Sequence, residues 1–246
     1  MGLPPSPFLT AQWLHLAMLN FEIAPAVVRP YVPAGTELCT FGQKTFVSIV
    51  GFLFRDTRVL GMSIPFHRNF EEVNLRFYVR RKADGGWRRA VVFIKELAPR
   101  RAVGWTARVF YGENYRTVPM GHRIEIPNGE PNALRAVSYW WTLDGRENRI
   151  EVTVAGTARA PLEGSQEEFI TEHYWGYSGG ANRRTIEYRV DHPRWKIWPA
   201  RQSRLACDVA RCYGDAFVEA LSARPASAFL ADGSPVTVHR GVKIAR

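Results

Sequence analysis

Cysteine is scarce in this sequence, and long hydrophobic runs are missing. The three cysteines, Cys39, Cys207 and Cys212, are too few for a disulfide framework, and such a count is typical of the reducing cytoplasm. Cys207 and Cys212 have no second metal-spaced pair, and a His-Glu-x-x-His motif is lacking, so the sequence predicts no metal site. No apolar run reaches about 18 residues, so we expect no transmembrane helix and a cytoplasmic location.

Motifs for the common cofactor and nucleophile chemistries are missing as well. The sequence contains no Gly-x-Ser-x-Gly elbow, no P-loop and no dinucleotide-binding fingerprint. We therefore predict no bound cofactor, and any catalysis has to come from the side chains of the chain itself.

Lysine is also rare, because the 33 basic residues divide into 28 arginines and 5 lysines. The net charge is +10, and ten basic residues against two acidic ones lie between Arg76 and Arg108. Such a stretch would give a nucleic-acid protein its phosphate contacts, or a small-molecule protein a site for an anionic ligand. Because no nucleic-acid-binding motif accompanies it, the sequence favours the anionic small molecule as the partner.

The two-residue alternation typical of β-strands is abundant. With 246 residues, 46% of them hydrophobic, one domain spanning residues 1–246 can bury a substantial core. We expect strands at Gln12–Ile23, Thr45–Phe54, Glu72–Arg80, Arg89–Leu97, Arg101–Tyr111, Gly121–Ile126, Ala133–Leu143, Arg149–Thr157, Thr185–Val190 and Val236–Ile244. Short helices are expected at Pro25–Val32, at Gln166–His173 with Ser165 as its cap, and at Asp215–Leu221. Many strands with few helices predict a mainly β fold, either a closed barrel or a sandwich.

The strand Glu72–Arg80 has one apolar and one polar face. The polar face contains Glu72, Asn74, Arg76, Tyr78 and Arg80. Most alternating strands turn such a face to solvent. In a closed barrel the same face could point inward and line a polar cavity. The alternation alone leaves both arrangements open.

Two single charges on the neighbouring strands favour the cavity. Glu96 and Arg108 each share a strand face with small or apolar residues, which indicates burial. Those faces contain Ala90, Val92 and Ile94 on the second strand, and Ala102, Gly104 and Thr106 on the third. Since buried charges have to be paired or to bind an ion, Glu96 and Arg108 either pair with each other or leave the guanidinium for an anionic ligand.

Aromatic residues form 13% of the chain, and several of them stand together. The run His173–Tyr177 combines histidine, tyrosine and tryptophan, and His122 follows a Met-Gly pair. Such residues most often pack in a core, and they also form the walls of ligand pockets. Among the six histidines, His122 and His173 are therefore the candidates for a functional role.

Several stretches in a fixed order resemble a known family. They are Phe70–Val79 (FEEVNLRFYV), Val91–Arg101 (VVFIKELAPRR), Ala107–Arg108, Tyr111–Tyr115 (YGENY), Pro119–His122 (PMGH), Thr171–Tyr177 (TEHYWGY) and Val190–Trp195 (VDHPRW). Together they are similar to the YqjF-like proteins, bacterial domains of unknown function grouped with the acetoacetate decarboxylase-like superfamily. The resemblance covers nearly the whole chain. It implies a cone-shaped antiparallel β-barrel with a few flanking short helices and an internal cavity.

The resemblance does not carry over the catalytic residues of acetoacetate decarboxylase. That enzyme forms a Schiff base on a lysine beside a second lysine, and the matching positions here are Arg100 and Arg101. Arginine stays protonated and forms no imine. Lys95 faces away from Glu96 by alternation, and the segment Thr45–Ile64 has no glutamate where the enzyme has two. We therefore expect no Schiff-base decarboxylase.

The sequence predicts a protein that binds, and in one interpretation converts, a small carboxylate-bearing keto or enol acid inside the barrel. The expected roles are an anion clamp of Arg76, Arg100 and Arg108, proton transfer by Glu72, Glu96 or His122, orientation by Asn74 and Tyr78, and further ligand contacts by His173 and Trp175. The alternative is a non-catalytic carrier or sensor of an aromatic or apolar metabolite, which the abundance of tryptophan and tyrosine suits. Association into a homo-oligomer stays open.

Overall fold

The structure is a computed structural model that describes residues 7–65, 67–99, 114–125, 136–179 and 184–244. The strands in these ranges are β1 (Pro7–Ile23), β2 (Glu37–Leu38), β3 (Thr45–Val59), β4 (Met62–Ser63), β5 (Phe70–Ala83), β6 (Gly86–Ala98), β7 (Tyr115–Thr117), β8 (Met120–Glu125), β9 (Ala136–Leu143), β10 (Arg146–Val154), β11 (Trp175–Ser178), β12 (Ile186–Asp191), β13 (Ile197–Ala206), β14 (Ser227–His239) and β15 (Val242–Lys243). The α-helices there are α1 (Pro25–Val28), α2 (Gln166–Thr171), α3 (Val209–Tyr213) and α4 (Val218–Ser222). The predicted mainly β fold with a few short helices is confirmed. None of the helices in the described ranges is long and apolar enough to span a membrane.

Seven of the described strands form a ring. The hydrogen-bonded order is β12, β11, β6, β5, β3, β1 and β14, and a further pairing of β12 with β14 joins the two ends. The neighbours in this ring are antiparallel except β11 and β6, which are parallel. The ring therefore encloses an interior onto which one face of each strand can point.

A second layer of strands covers the outer side of the ring. From β14 the sheet continues through β13, β10, β9 and β8. The hydrophobic core between the layers includes Val73 and Leu75 of β5 together with Tyr139 and Trp141 of β9. Gly51 of β3 allows this approach, because a Cβ there would lie 2.7 Å from the Tyr139 ring.

The odd-numbered residues of β5 are thus already buried between the two layers. Of the polar set of even-numbered residues, Glu72, Asn74, Arg76 and Tyr78 consequently point into the ring. Arg80 does not, because its side chain is 43% exposed and pairs with Glu37. Glu72, Asn74 and Arg76 are all buried, as is Tyr78. Of the two orientations that the alternation left open, the structure has the inward one.

A β-bulge changes which residues of β6 face inward. The β5–β6 hairpin turns at Asp84-Gly85, as expected, but the register shifts between the pairs Leu75–Lys95 and Arg76–Phe93. The extra residue, Ile94, lies with Ala90 and Val92 in the outer core, whereas Glu96 lies on the inner side with Phe93. The expectation that Glu96 shares its face with Ala90, Val92 and Ile94 was therefore wrong, because a bulge interrupts the two-residue period.

The helix expected at Asp215–Leu221 is a 3-10 turn at Asp215–Phe217 followed by α4. Two other differences from the predicted elements have local causes. The helix expected at Pro25–Val32 is α1 followed by a 3-10 turn at Arg29–Tyr31, because Pro30 lacks the N–H that a continuing α-helix needs. Strand β13 was not predicted, since it contains Pro199 and many polar residues. The strand expected at Arg101–Tyr111 lies outside the described residues.

Helix α2 begins at the predicted cap. The Ser165 hydroxyl accepts a hydrogen bond from the Glu168 N–H at 3.2 Å, and the Glu168 carboxylate accepts one from the Gly164 N–H at 2.7 Å. Phe169 and Ile170 of this helix pack into the hydrophobic cluster inside the ring. The chain that follows α2 therefore starts at the ring interior.

Gly176→Ala is expected to destabilise the fold by about 1–3 kcal/mol, because an added methyl overpacks the site. A Cβ at Gly176 would lie 2.1 Å from the ring of Tyr188, its partner across β11 and β12. Thermal unfolding of the variant measures the effect. In a Tyr188→Ala background the same substitution should cost little, and an equal cost in both backgrounds would show that the ring is not the cause.

Candidate functional site

A pocket of about 140 Å³ lies inside the ring. Its wall is mostly apolar, and its aromatic members include Trp13, Phe52, Phe54, Phe70, Phe93 and Trp195. For comparison, an apolar cavity of about 150 Å³ in another protein binds benzene. The pocket therefore has room for a molecule with roughly as many non-hydrogen atoms as benzene or a few more.

Six of the ten predicted site residues line this pocket. They are Glu72, Asn74, Arg76, Glu96, His173 and Trp175. Arg100 and Arg108 lie outside the described residues, and Tyr78 and His122 are not among the lining residues. Inside the ring the structure thus brings together an acid pair, an amide, a guanidinium and an imidazole from three segments of the chain.

Glu72 is held by two hydrogen bonds in an apolar setting. The Asn74 amide donates to Oε1 at 3.0 Å, and the Tyr115 hydroxyl donates to Oε2. Burial raises the pKa of Glu72 from its ordinary 4.5 to about 7, although both hydrogen bonds and the Arg76 charge act in the opposite direction. Glu72 can therefore exchange a proton near neutral pH, as a general acid or base requires.

Arg76 is a buried cation that has no carboxylate partner among the described residues. Only 8% of the surface of Arg76 is exposed to solvent. Among the described residues no carboxylate oxygen lies within 4.0 Å of the guanidinium, and Nε has no hydrogen-bond partner. Its contacts are long hydrogen bonds from Nη2 to the Ile170 carbonyl at 3.5 Å and to the Met18 sulfur at 4.0 Å, and the Tyr78 ring, whose centroid is 5.9 Å away. Such a charge is costly unless an anion joins it, so the pocket is electrostatically incomplete.

His173 supplies a neutral imidazole beside these charges. The ring lies 4.7 Å from the Tyr78 ring and 5.6 Å from the Phe169 ring. Burial, together with the charges of Arg89 and Arg76, holds the pKa of His173 well below its usual value. Among the described residues no side chain hydrogen-bonds the ring, and the Ile170 backbone is close enough to favour its protonated form, so one ring nitrogen is left for a ligand.

Tyr78 lies on the inner side of β5 but beside the pocket. Its hydroxyl hydrogen-bonds the Ser48 hydroxyl at 2.5 Å, and Ser48 donates to Asn20 at 2.6 Å. Both contacts are buried, so the Tyr78 hydroxyl is occupied by the protein. Tyr78 therefore packs against His173 and Arg76 but does not line the pocket.

His122 lies on the other side of β5. Its Nδ1 is 2.6 Å from the carboxylate of Glu71, which precedes Glu72 and points away from it. Its ring is 6.3 Å from that of Tyr139 in the outer core. His122 therefore does not reach this pocket, because its partner Glu71 and the pocket residue Glu72 are adjacent in a strand and face opposite sides. The proton transfer predicted for His122 cannot take place there.

Three arginines of the basic stretch between Arg76 and Arg108 form ion pairs within the protein. Arg80 pairs with Glu37 at 2.6 Å, and Arg88 and Arg81 pair with the buried Glu187 at 2.5 and 3.3 Å. These pairs leave less of the stretch for contacts with phosphates than its sequence implies.

The sequence profile of the DUF2071 family, described as an uncharacterized conserved protein, matches residues 10–235. The chain belongs to this family. The uncharacterized protein YqjF of Bacillus subtilis (strain 168) is 26% identical over 188 residues, which cover 74% of this chain and 72% of YqjF. The resemblance to YqjF-like proteins is thereby confirmed.

Solved structures place this DUF2071 protein among the acetoacetate decarboxylase-like folds. The enduracididine biosynthesis enzyme MppR complexed with pyruvate is similar with a TM-score of 0.71 and 15% identity, over 99% of this chain and 92% of that one. Acetoacetate decarboxylase from Legionella pneumophila is similar with a TM-score of 0.65 and 11% identity, over 98% of this chain and 88% of that one. At these identities the likeness concerns the fold, and it confirms the predicted fold class.

The lysines of this DUF2071 protein lie away from the pocket. All five are in the described ranges, and none lines the pocket wall. Lys95 points outward, where its ammonium donates to the carbonyl of Cys212. Lys95 thus faces away from Glu96, as the alternation predicts.

Tyr115 is a pocket residue that the alternation pattern did not indicate. It belongs to the three-residue strand β7, which pairs in parallel with β6 at Glu96. A strand so short has no detectable period, and its pairing is decided by the fold. Its only sign in the sequence was its place in the YGENY stretch of the family resemblance.

Proposed function

We propose that this protein binds a small 2-oxo acid, or the corresponding enol, with the ligand carboxylate on Arg76. The observation that carries the proposal is the buried guanidinium in an aromatic pocket, for which the described residues provide no carboxylate within 4.0 Å. A carboxylate is the natural complement of a guanidinium, since two parallel N–H···O bonds can form. The complex of MppR with pyruvate, on the same fold, supports this ligand class.

The pocket limits the size and polarity of the ligand. A volume of about 140 Å³ admits roughly six to nine non-hydrogen atoms, as in pyruvate or 4-methyl-2-oxopentanoate. The charged lining residues are Glu72, Arg76 and Glu96, and aromatic side chains form much of the rest. A ligand with one carboxylate and an apolar tail therefore fits better than a polyanion.

The reaction that the geometry supports best is proton transfer at the carbon next to the ketone. The Glu72 carboxylate removes a proton from C3 of the 2-oxo acid, and the electron pair of that C–H bond moves to the carbonyl oxygen, giving the enolate. In the proposed reaction the His173 imidazole donates its N–H to this oxygen, and protonated Glu72 returns the proton. Asn74 and Tyr115 hold the Glu72 carboxyl in place. Glu96 is a second acid on the wall.

Deuterium exchange at C3 tests the proposed function. Pyruvate and 4-methyl-2-oxopentanoate are incubated with the protein in D₂O, and proton NMR follows the C3 signal. We expect the C3 signal to decay faster with the protein than in the same buffer without it. No acceleration for either acid, together with no binding in calorimetry, would contradict the proposal.

The chemistry should not involve an imine. After incubation with pyruvate and sodium cyanoborohydride, intact-mass spectrometry is expected to find the unmodified protein mass, because no lysine lines the pocket. Bovine serum albumin treated in parallel measures nonspecific reductive alkylation of surface lysines. A stoichiometric adduct formed only on this protein would show that a lysine reaches the ligand after all.

A second candidate function is supported by the aromatic wall. Phe54 and Phe70 stack at 4.6 Å, and Trp13 lies within 5.8 Å of Phe54, ring centroid to centroid. Such a wall suits a carrier or sensor of an aromatic or apolar metabolite. Tight binding of a 2-oxo acid without any C3 exchange would favour that role over the enzyme.

A further inference from the structure

Strands β13 and β14 separate from each other after a short paired stretch. They pair only where Ile197–Pro199 meets Phe229–Ala231. From Ala200 onward, β13 is paired with β10 on one side, and at Ser227 and Ala228 β14 is paired with β1 on one side. Since the order of strands is β1, β14, β13 and β10, each strand has an edge toward the other that no described strand covers.

Two local features of β13 account for the separation. The register between β10 and β13 skips Arg201, which lies between the paired residues Ala200 and Gln202 and forms a β-bulge. A bulge bends its strand and can end the pairing on the other edge. Pro199, directly before it, has no N–H to continue the ladder toward β14.

The gap between the two strands is a groove with main chain on both sides. Residues 200–204 line one side and residues 224–228 line the other, with Glu151 and Thr153 of β10 beside them. A strand that turned one face to the groove would contribute every second residue, so consecutive lining residues bring its main chain to the groove as well. No residue lines both this groove and the pocket inside the ring, so a role for the groove does not depend on the proposed function.

The groove is positively charged. Arg201, Arg204 and Arg224 line it and are exposed, and among the described residues none of them has a carboxylate oxygen within 4.0 Å. Glu151, the acidic residue of the lining, already lies 3.6 Å from a guanidinium nitrogen of Arg149. Three arginines that stand together without ion pairs are complementary to an anionic partner.

We propose that this groove binds an acidic segment of another protein, which adds as an extended strand to the free edge of β13. The main chain of the segment pairs with residues 200–204, and its carboxylates contact the three arginines. A nucleic acid fits less well, because it has no ladder of alternating donors and acceptors to match a strand edge. A second copy of this chain is disfavoured too, because edge-to-edge pairing of β13 would bring the same arginines of two copies together, each copy with a net charge of +10.

Fluorescence anisotropy with a labelled acidic peptide tests the proposal. The probe is an alternating Thr-Glu peptide of about eight residues, long enough to span the free edge. We expect saturable binding to the full-length protein at about 0.15 M salt, where exposed charges are already screened. An alternating Thr-Lys peptide should not bind.

The contribution of the groove is measured with a triple variant. Arg201→Gln/Arg204→Gln/Arg224→Gln should bind the probe about tenfold more weakly or worse, since three exposed charge pairs are removed together. The matched control replaces three exposed arginines outside both the groove and the pocket, and it has the same net charge as the triple variant. It is Arg29→Gln/Arg58→Gln/Arg240→Gln, and it should lose less than about threefold.

Strand pairing is tested on the wild-type protein with the backbone of the probe. Two versions of the peptide are N-methylated, one at every threonine and one at every glutamate, which removes the N–H donors from one edge of the peptide in each case. At least one of them should bind about tenfold more weakly, because one peptide edge faces β13. Binding of the unmodified probe should slow amide hydrogen exchange in residues 200–204.

Several results would overturn the proposal. They are the absence of binding, equal losses in the two triple variants, and full affinity of both N-methylated peptides. A single-stranded oligonucleotide of the same charge that displaces the probe more effectively than unlabelled peptide would assign the groove to nucleic acid. A dimer of the protein alone in sedimentation, with residues 200–204 protected from exchange, would assign it to a second copy of the chain.

Discussion

Replacement of Arg76 by methionine is expected to weaken the binding of pyruvate and 4-methyl-2-oxopentanoate by about 30-fold or more, because the ligand carboxylate loses its buried charge partner in the proposed complex. Isothermal titration calorimetry measures the affinity. The matched control is Arg80→Met on the same strand, since Arg80 is exposed, pairs with Glu37 and does not line the pocket. Arg80→Met should change the affinity for either acid by less than about threefold, because an exposed charge interacts only weakly.

The same variant has a second expected effect, on stability. Arg76 is buried without a carboxylate partner among the described residues, so its charge costs free energy in the unliganded protein. A methionine of similar length should leave the melting temperature equal to or above that of the wild type. Unchanged affinity for both acids in Arg76→Met would contradict the role of Arg76, and a large loss of stability would show that the guanidinium is already satisfied.

Glu72→Gln is expected to slow the C3 exchange by about a hundredfold or more, since positioned proton transfer contributes that much. Glutamine keeps the shape of the side chain and can accept from one of its partners, Asn74 or Tyr115. In the wild type the exchange rate should rise with pH through about 7 and then level off, because the base form of Glu72 appears there. The control is Glu71→Gln, since Glu71 pairs with His122 outside the pocket. Equal losses in the two variants would remove Glu72 from the mechanism.

Glu72 should also leave a signature in the pH dependence of stability. Its folded pKa of about 7 lies above the ordinary 4.5, so its contribution to the free energy of unfolding is fully present below about 4.5 and is lost as the pH rises through 7. Relative to Glu72→Gln, the wild type should lose about 2–3 kcal/mol between pH 5 and pH 8. Urea unfolding at both pH values measures this difference. A difference that stays constant would show that the folded and unfolded pKa values are alike.

Local sequence rules were sufficient for the strands that carry the pocket. The alternation of Glu72–Arg80 and the Asp84-Gly85 turn define β5 and its hairpin with β6, because both signals involve neighbouring residues. Three of the predicted site residues, Glu72, Asn74 and Arg76, line the pocket for the same reason. The direction in which that face points depends on which layer covers Val73 and Leu75, and no local pattern contains this information.

The features of the site that could not be predicted from the sequence depend on pairing between distant segments of the chain. The bulge at Ile94 is visible only in the register between β5 and β6, and it moved Ala90 and Val92 away from the face of Glu96. Tyr115 reaches Glu72 through a short parallel pairing of β7. His122 was chosen for its neighbours in the chain, and the adjacent Glu71, whose orientation is opposite to that of Glu72, holds it outside the ring. The family resemblance supplied the fold but left these contacts undetermined.

The most direct test of the central claim is a crystal structure of the protein soaked with 4-methyl-2-oxopentanoate. The expected result is the ligand carboxylate against the guanidinium of Arg76, with C3 facing the carboxyl of Glu72 and the aliphatic tail against the aromatic wall. An empty pocket at a saturating ligand concentration, or a carboxylate bound away from Arg76, would contradict the account.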